Sequence, residues 1–171
     1  DRLKVYILKE DREVRGKDTP VIVSRKNREI VKRLFELEIP EVMDGTVQIK
    51  AISREPGVRS KVAVYSVDDQ VDAVGSCVGP KGSRVEQIVD ELRGEKIDII
   101  PWSSDPIEFI AASLSAAKVI MVQINEDEHA AKVIVPDNQL SLAIGMRGIN
   151  AKLAARLTGW KTDIKSQSQA Q

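Results

Sequence analysis

Apolar positions along this chain recur with two periods. Leu3, Val5 and Ile7 alternate with polar neighbours, and Val21-Ile22-Val23 is short and β-branched. Residues 1–24 therefore predict two strands around a charged turn at Gly16. Two strands cannot bury a core alone, so this segment is expected to be the end of an upstream β-domain. Asn27 can cap a helix running to about Glu38, with Ile30, Val31, Leu34, Phe35 and Leu37 on its apolar face and Pro40 as its stop. Strands are expected over Thr46–Arg54 and Lys61–Ser66, joined by the turn signal Glu55-Pro56-Gly57. In the first of them Val47, Ile49 and Ala51 share one face. A loop over Val67–Val71 leads to a helix ending at Val78, a second helix to Arg93 and a strand over Lys96–Ile100.

The same order then begins again. Asp105-Pro106-Ile107-Glu108 combines a capping aspartate, a proline in the first turn and an early acid. Ile107, Ile110, Ala111 and Leu114 would form the inner stripe of that helix. Strands are expected over Lys118–Ile124 and Ala130–Val135, around a loop at Asn125–His129. Asp137 would cap a short helix to Ile144, followed by a helix to Thr158 and a strand over Lys161–Ile164. Residues 166–171, built from Gln, Ser and Ala, read as a disordered tail. Only Pro101, Trp102, Ser103 and Ser104 join the two halves, too few to let them tumble freely. Trp102 either buries itself at this junction or finishes the first core.

A loop recurs with the elements. Gly79-Pro80-Lys81-Gly82 and Gly145-Met146-Arg147-Gly148 lie 66 positions apart, each between two apolar helices. Farther on, Leu92-Arg93-Gly94-Glu95-Lys96-Ile97-Asp98-Ile99 matches Leu157-Thr158-Gly159-Trp160-Lys161-Thr162-Asp163-Ile164 as L-x-G-x-K-x-D-I. A single GxxG is most often a tight turn, whereas a domain-sized duplication points to a repeated module. The chemistry of the loop suits phosphate. One glycine ends a helix in the left-handed region. The other opens a helix whose first amides lack internal partners. Between them stands one cation, Lys81 or Arg147. GxxG is also the clamp by which KH domains hold about four nucleotides of a single strand.

Composition narrows the alternatives. At 171 residues, 42% hydrophobic and 30% charged, the chain reads as globular, with room for two small domains. One cysteine and one histidine supply neither a disulfide framework nor a zinc cluster, and no cofactor is implied. No apolar run reaches membrane-span length and no signal peptide is visible, which favours the cytoplasm and speaks against a membrane partner. Net charge is zero. The charge is nonetheless segregated: Arg54, Arg59 and Lys61 flank one turn, Lys81 and Arg84 sit on the first loop, and Arg147, Lys152, Arg156 and Lys161 follow the second. Asp68, Asp69 and the run Glu126–Glu128 fall in predicted loops. With no Walker, zincin or nucleophile-elbow motif, nothing points to an enzyme.

The order α-β-β-α-α-β, with GxxG between the last two helices, resembles the bacterial, type II KH fold. The strings Arg54-Glu55-Pro56-Gly57-Val58-Arg59-Ser60-Lys61-Val62-Ala63-Val64, Val74-Gly75-Ser76-Cys77-Val78-Gly79-Pro80-Lys81-Gly82-Ser83-Arg84-Val85, Asp137–Gly145 and Leu153–Trp160 closely resemble the NusA family of bacterial transcription factors. That resemblance implies an α+β chain of two tandem type II KH domains, each a three-stranded sheet with helices packed on one face. Its parts would be the last strands of an OB-fold RNA-binding domain (1–24), a first KH domain (25–101), a second KH domain (102–165) and the tail (166–171). It implies a monomer that binds single-stranded nascent RNA and regulates pausing, termination and antitermination. RNA polymerase would be reached mainly through upstream domains, beside other antitermination factors. A KH protein of the ribosome or of ribosome assembly, bound to rRNA, is the alternative. Phosphates would pass the amides of Gly79, Pro80, Lys81, Gly82 and Ser83 in one clamp and of Gly145, Met146, Arg147, Gly148 and Ile149 in the other. Lys81, Arg84, Arg147 and Lys152 would stand nearby, with Arg54, Arg59 and Lys61 as a further basic group. Asn150 either touches RNA or caps a helix. Met146 and Ile149 depart from the Arg and Gln that relatives commonly carry, which leaves Arg147 as the one cation of the second loop.

Overall fold

A computed structural model describes residues 19–170, with side chains from residue 28 onward. Its first half runs α1 (Thr19–Glu38), α2 (Pro40–Met43), β1 (Val47–Glu55), β2 (Arg59–Ser66), α3 (Ala73–Val78), α4 (Ser83–Glu91) and β3 (Lys96–Pro101). The second half runs α5 (Pro106–Ser113), β4 (Met121–Asn125), β5 (Ala130–Val135), α6 (Leu140–Ile144), α7 (Ile149–Thr158), β6 (Lys161–Ser166) and α8 (Gln167–Ala170). The sheets have the orders β1-β2-β3 and β4-β5-β6. In each, the first pair is antiparallel and the second parallel. The hairpin connection permits the antiparallel pair, and the two intervening helices supply the crossover that a parallel pair needs. The expected α-β-β-α-α-β order thus occurs twice in an α+β fold.

Each sheet hides one face under its helices. Val31, Leu34, Phe35, Val47, Val62 and Ile88 close the first core, and Ile110, Leu114, Val133, Ala143 and Ala154 the second. A third cluster joins the halves. Ala63 and Ile100 of the first pack on Phe109 and Leu157 of the second, with Ala51, Trp102 and Ala112 around them. Trp102 lies edge-on to Tyr65 at 5.5 Å and to Phe109 at 6.5 Å, so it belongs to the junction. The Ser53 hydroxyl donates to the Leu153 carbonyl at 2.7 Å and is buried. The outer face of the first sheet is therefore covered by α7 and α5. This is why β2 is buried on both faces from Ser60 to Val64.

Several expectations are corrected. The helix begins at Thr19, so Val21–Val23 are helical and Asn27 lies inside α1. Pro20 is tolerated in a first turn, and a few β-branched residues lower helix propensity only by tenths of a kcal/mol each. The expected strand at Leu3–Ile7, and with it most of the OB-fold segment, lies outside the described residues. Pro40 ends α1 but starts α2, because its missing N–H costs nothing at a helix start. A register shift between Ile49 and Ala51 turns Ala51 to the junction and leaves Ile52 to pack on the first core. Ile107 is 42% exposed, while Phe109 is buried. The strand expected from Lys118 starts at Met121. Asp137 does not cap α6; its carboxylate accepts from the Ser168 amide at 3.0 Å and from the Ser168 hydroxyl. That contact holds α8, where a disordered tail was expected.

Candidate nucleic-acid interface

The two GxxG loops share one backbone. Gly79 has φ 77°, ψ 171° and Gly145 has φ 80°, ψ 168°. Lys81 (54°, 28°) matches Arg147 (58°, 22°), and Gly82 (76°, 12°) matches Gly148 (73°, 11°). The first glycine occupies a region essentially closed to other residues. It is also hemmed in: a Cβ on Gly79 would stand 2.6 Å from Arg84 Cγ, and one on Gly145 would stand 2.8 Å from the Asn150 backbone nitrogen. The second glycine is a left-handed N-cap with no side-chain hydrogen bond, and each loop closes on itself: the Ser83 amide donates to the Pro80 carbonyl and the Ile149 amide to the Met146 carbonyl. Lys81 and Arg147 are exposed, and neither joins a hydrogen bond or ion pair with the described residues. Each loop thus sets the positive end of a helix beside an uncommitted cation, a place suited to a phosphodiester.

Behind each loop one side chain ties it to the helix before it. Arg84 lies over Gly79 and donates from Nη1 to the Ser76 carbonyl at 2.8 Å and to Glu41 Oε1 at 2.8 Å. At the equivalent position Asn150, 4% exposed, donates to the Ala143 carbonyl at 2.9 Å. Both satisfy orphan carbonyls at a helix end. Asn150 is therefore a cap, though of α6 and not of its own helix, and Arg84 is paired where it was expected to stand ready for phosphate. Ser83, Pro80, Met146 and Lys152 are exposed at the surface of the clamps, and Ile149 is half-buried. The Cys77 thiol, buried beneath the first loop, is pushed up to about 12 chiefly by burial and then by Glu41, so it stays an inert thiol.

The basic group at the first hairpin has other work. Lys61 is wholly buried, with Nζ 2.9 Å from Asp98 and 3.3 Å from the Ser115 hydroxyl across the junction. Burial pulls its pKa below the ordinary lysine value, and Asp98 partly restores it. Arg59 pairs with the same carboxylate at 3.0 Å. Arg54 Nε and Nη2 grip Glu95, a buried carboxylate that also accepts from the Gly57 amide at 2.9 Å and the Ser60 hydroxyl at 2.7 Å. These three cations hold the hairpin and the junction; Lys61 in particular is out of reach of a ligand. In the second half the place of Glu95 is taken by Trp160, which stacks on His129 at 3.9 Å. Sequence reasoning missed the parts played by Glu41 and Glu95. Only Glu95 left a signal, as the position where the repeat changes from carboxylate to tryptophan.

Comparison with known proteins agrees with this architecture. Residues 25–102 match the family model of a NusA-like first KH domain, and residues 106–171 that of a NusA-like second KH domain. Three similar proteins bear the name transcription termination/antitermination protein NusA. The one from Halalkalibacterium halodurans is 57% identical over 100% of this chain and 44% of its own length. That from Bacillus subtilis is 59% identical over 99% of this chain and 45% of its own length. The Mycobacterium tuberculosis protein is 49% identical, over 98% and 48%. The chain thus spans less than half the length of these relatives. Among solved structures, the crystal structure of APE1850 shares the fold, with TM-score 0.56 and 21% identity over 79% of this chain and 95% of that one.

Proposed function

This chain belongs to the NusA family as a tandem KH region, and on that footing we propose that it binds single-stranded nascent RNA through both GxxG loops. The observation that carries the reading is the pair of loops with one backbone geometry, each setting a helix start beside an unpaired cation. RNA phosphates lie along those helix starts, and bases lie across the adjoining apolar surface, where edge contacts give modest sequence choice. Within the longer protein this binding serves the regulation of pausing, termination and antitermination in the cytoplasm. RNA polymerase is engaged by other parts of that protein, and no catalysis is involved. With Arg84 paired to Glu41, three cations remain for phosphate: Lys81, Arg147 and Lys152. A single-strand salt slope near −2 follows, from roughly −0.7 per contact.

The test is titration of a fluorescent single-stranded RNA library with the native chain and two variants, Pro80-Lys81→Asp-Asp and Met146-Arg147→Asp-Asp, after circular dichroism shows both folded. Each is expected to lose affinity, and their combination most of it. Binding untouched by either variant would remove RNA from the loops. Loss in the first variant alone would leave the second domain as a scaffold.

A further inference from the structure

One cation of the first domain is held by rings and not by an acid. In β1, Ile49 pairs with Val64 and Ala51 with Ala63, which leaves Lys50 as the extra residue of a bulge. A bulge re-aims the side chain it adds. Here the exposed Lys50 sets its Nζ 5.2 Å from the ring centroid of Tyr65 and 5.2 Å from that of Trp102. It forms no ion pair with the described residues. The rings are fixed from behind. They meet edge-on at 5.5 Å, Trp102 rests on Phe109 at 6.5 Å, and the Trp102 amide donates to the Val64 carbonyl at 2.8 Å. Tyr65 nonetheless stays 41% exposed.

This corner belongs to one domain and to one face. Tyr65 and Trp102 follow Lys61 and Asp98 by four positions; Pro136 and Gln167 follow Lys132 and Asp163 by four. In the second sheet, β4 also pairs with β5 without a register shift. The first clamp lies on the other side of the sheet, where Val62 and Val64 pack with Cys77 and Ile88 of its two helices. Side chains alternate along a strand, so Tyr65 points away from them.

We propose that Lys50, Tyr65 and Trp102 form a third RNA contact, on the outer face of the first sheet and apart from both GxxG loops. A base of the strand stacks on the ring corner and its phosphate meets Lys50. The proposal rests on the single-stranded RNA reading above. A nucleotide is the occupant that the chemistry favours: an exposed ring is a stacking surface for any base, and an ammonium that no carboxylate neutralises attracts phosphate. The first domain then touches RNA on both faces of its sheet.

The experiment titrates a fluorescein-labelled, hairpin-free RNA and a fully abasic strand of the same length. About 20 nucleotides suffice for two clamps, at about four each, and for a further contact. The proteins are the native chain, Lys50→Gln, Tyr65→Leu and Pro80-Lys81→Asp-Asp, each checked by thermal melting. Tyr65→Leu is expected to weaken the normal strand about five-fold and to leave the abasic strand unchanged. Lys50→Gln should weaken both strands about two-fold and flatten the salt slope by about 0.7. On the native chain, RNA carrying 5-iodouracil should crosslink under ultraviolet light to Tyr65 or Trp102. If the loop variant loses affinity while Lys50→Gln and Tyr65→Leu do not, or if crosslinks stay within the loops, the corner holds no RNA and the proposal falls alone. Equal losses from Tyr65→Leu on both strands would likewise remove the stacked base. If no variant affects either strand, the RNA reading of the first domain fails with it.

Discussion

Lys61 and Lys132 occupy equivalent places on the central strands of the two sheets. Lys61 lies opposite Asp98 on the parallel neighbour, and Lys132 lies opposite Asp163. In the first domain Lys61 is sealed beneath α7 and α5 against a partly buried Asp98, and the contact extends to Ser115; in the second, Lys132 and Asp163 are exposed. The same two residue types in the same register form a buried strut in one domain and a solvated surface in the other. What separates them is cover. Small residues on the first outer face, Ala51, Ser53 and Ala63, admit a helix, whereas Met121, Gln123 and Ile134 take those places in the second. A charge in a repeat thus takes its value from its neighbours. A buried pair is costly to break, and an exposed one contributes little.

The sharpest way to break this comparison is Asp98→Asn beside Asp163→Asn. Asp98→Asn strands the buried ammonium and should cost about 3 kcal/mol or more in urea unfolding. Asp163→Asn should stay within about 0.5 kcal/mol. The pH dependence has a definite sign. Burial lowers the Lys61 pKa, so near its titration the unfolded chain binds more protons than the folded one, and stability rises with pH. Without Asp98 the pKa drops further, so the deficit of the variant should shrink as pH rises toward ordinary lysine titration. Equal losses in both variants would mean that the junction does not enclose Lys61.

A second contrast lies inside the loops. Gly145→Ala drives a Cβ to 2.8 Å from backbone nitrogen in a glycine-only conformation, and should cost about 3 kcal/mol. Gly148→Ala meets nothing within 4 Å and carries only the left-handed penalty, about 1–2 kcal/mol. Gly79→Ala should fall between them, because the atom it strikes belongs to the flexible side chain of Arg84. Melting temperatures in a different order would contradict this account of the loop.

The smallest effect sharpens the difference between the clamps. Glu41 neutralises Arg84 in the first, while the neutral Asn150 performs the same capping in the second. Glu41→Gln should tighten RNA about two-fold and steepen the salt slope by up to about 0.7. Unchanged affinity and slope would make Glu41 a strut only.

Much of this architecture was legible in the chain. The turn at Pro56-Gly57, the aspartate-proline start of α5 and the glycines of both loops act through local backbone geometry, and each is where it was expected. The Asp105 cap, for instance, accepts from the Ile107 amide at 3.0 Å. Errors arose where contacts are distant. The fates of Arg54, Arg59 and Lys61 depend on Glu95 and Asp98, 35 or more positions away. That of Ala51 depends on a register shift, and that of residues 167–170 on Asp137.

The amino-acid sequence by itself determined the two modules, their order and their loops. Period, turn chemistry and glycine are short-range instructions that the backbone obeys nearly regardless of context. Only the tertiary structure decided which cations are available to a ligand. Whether a charge is buried and paired or left in water is settled by the helix that covers it, and that helix comes from the other half of the chain.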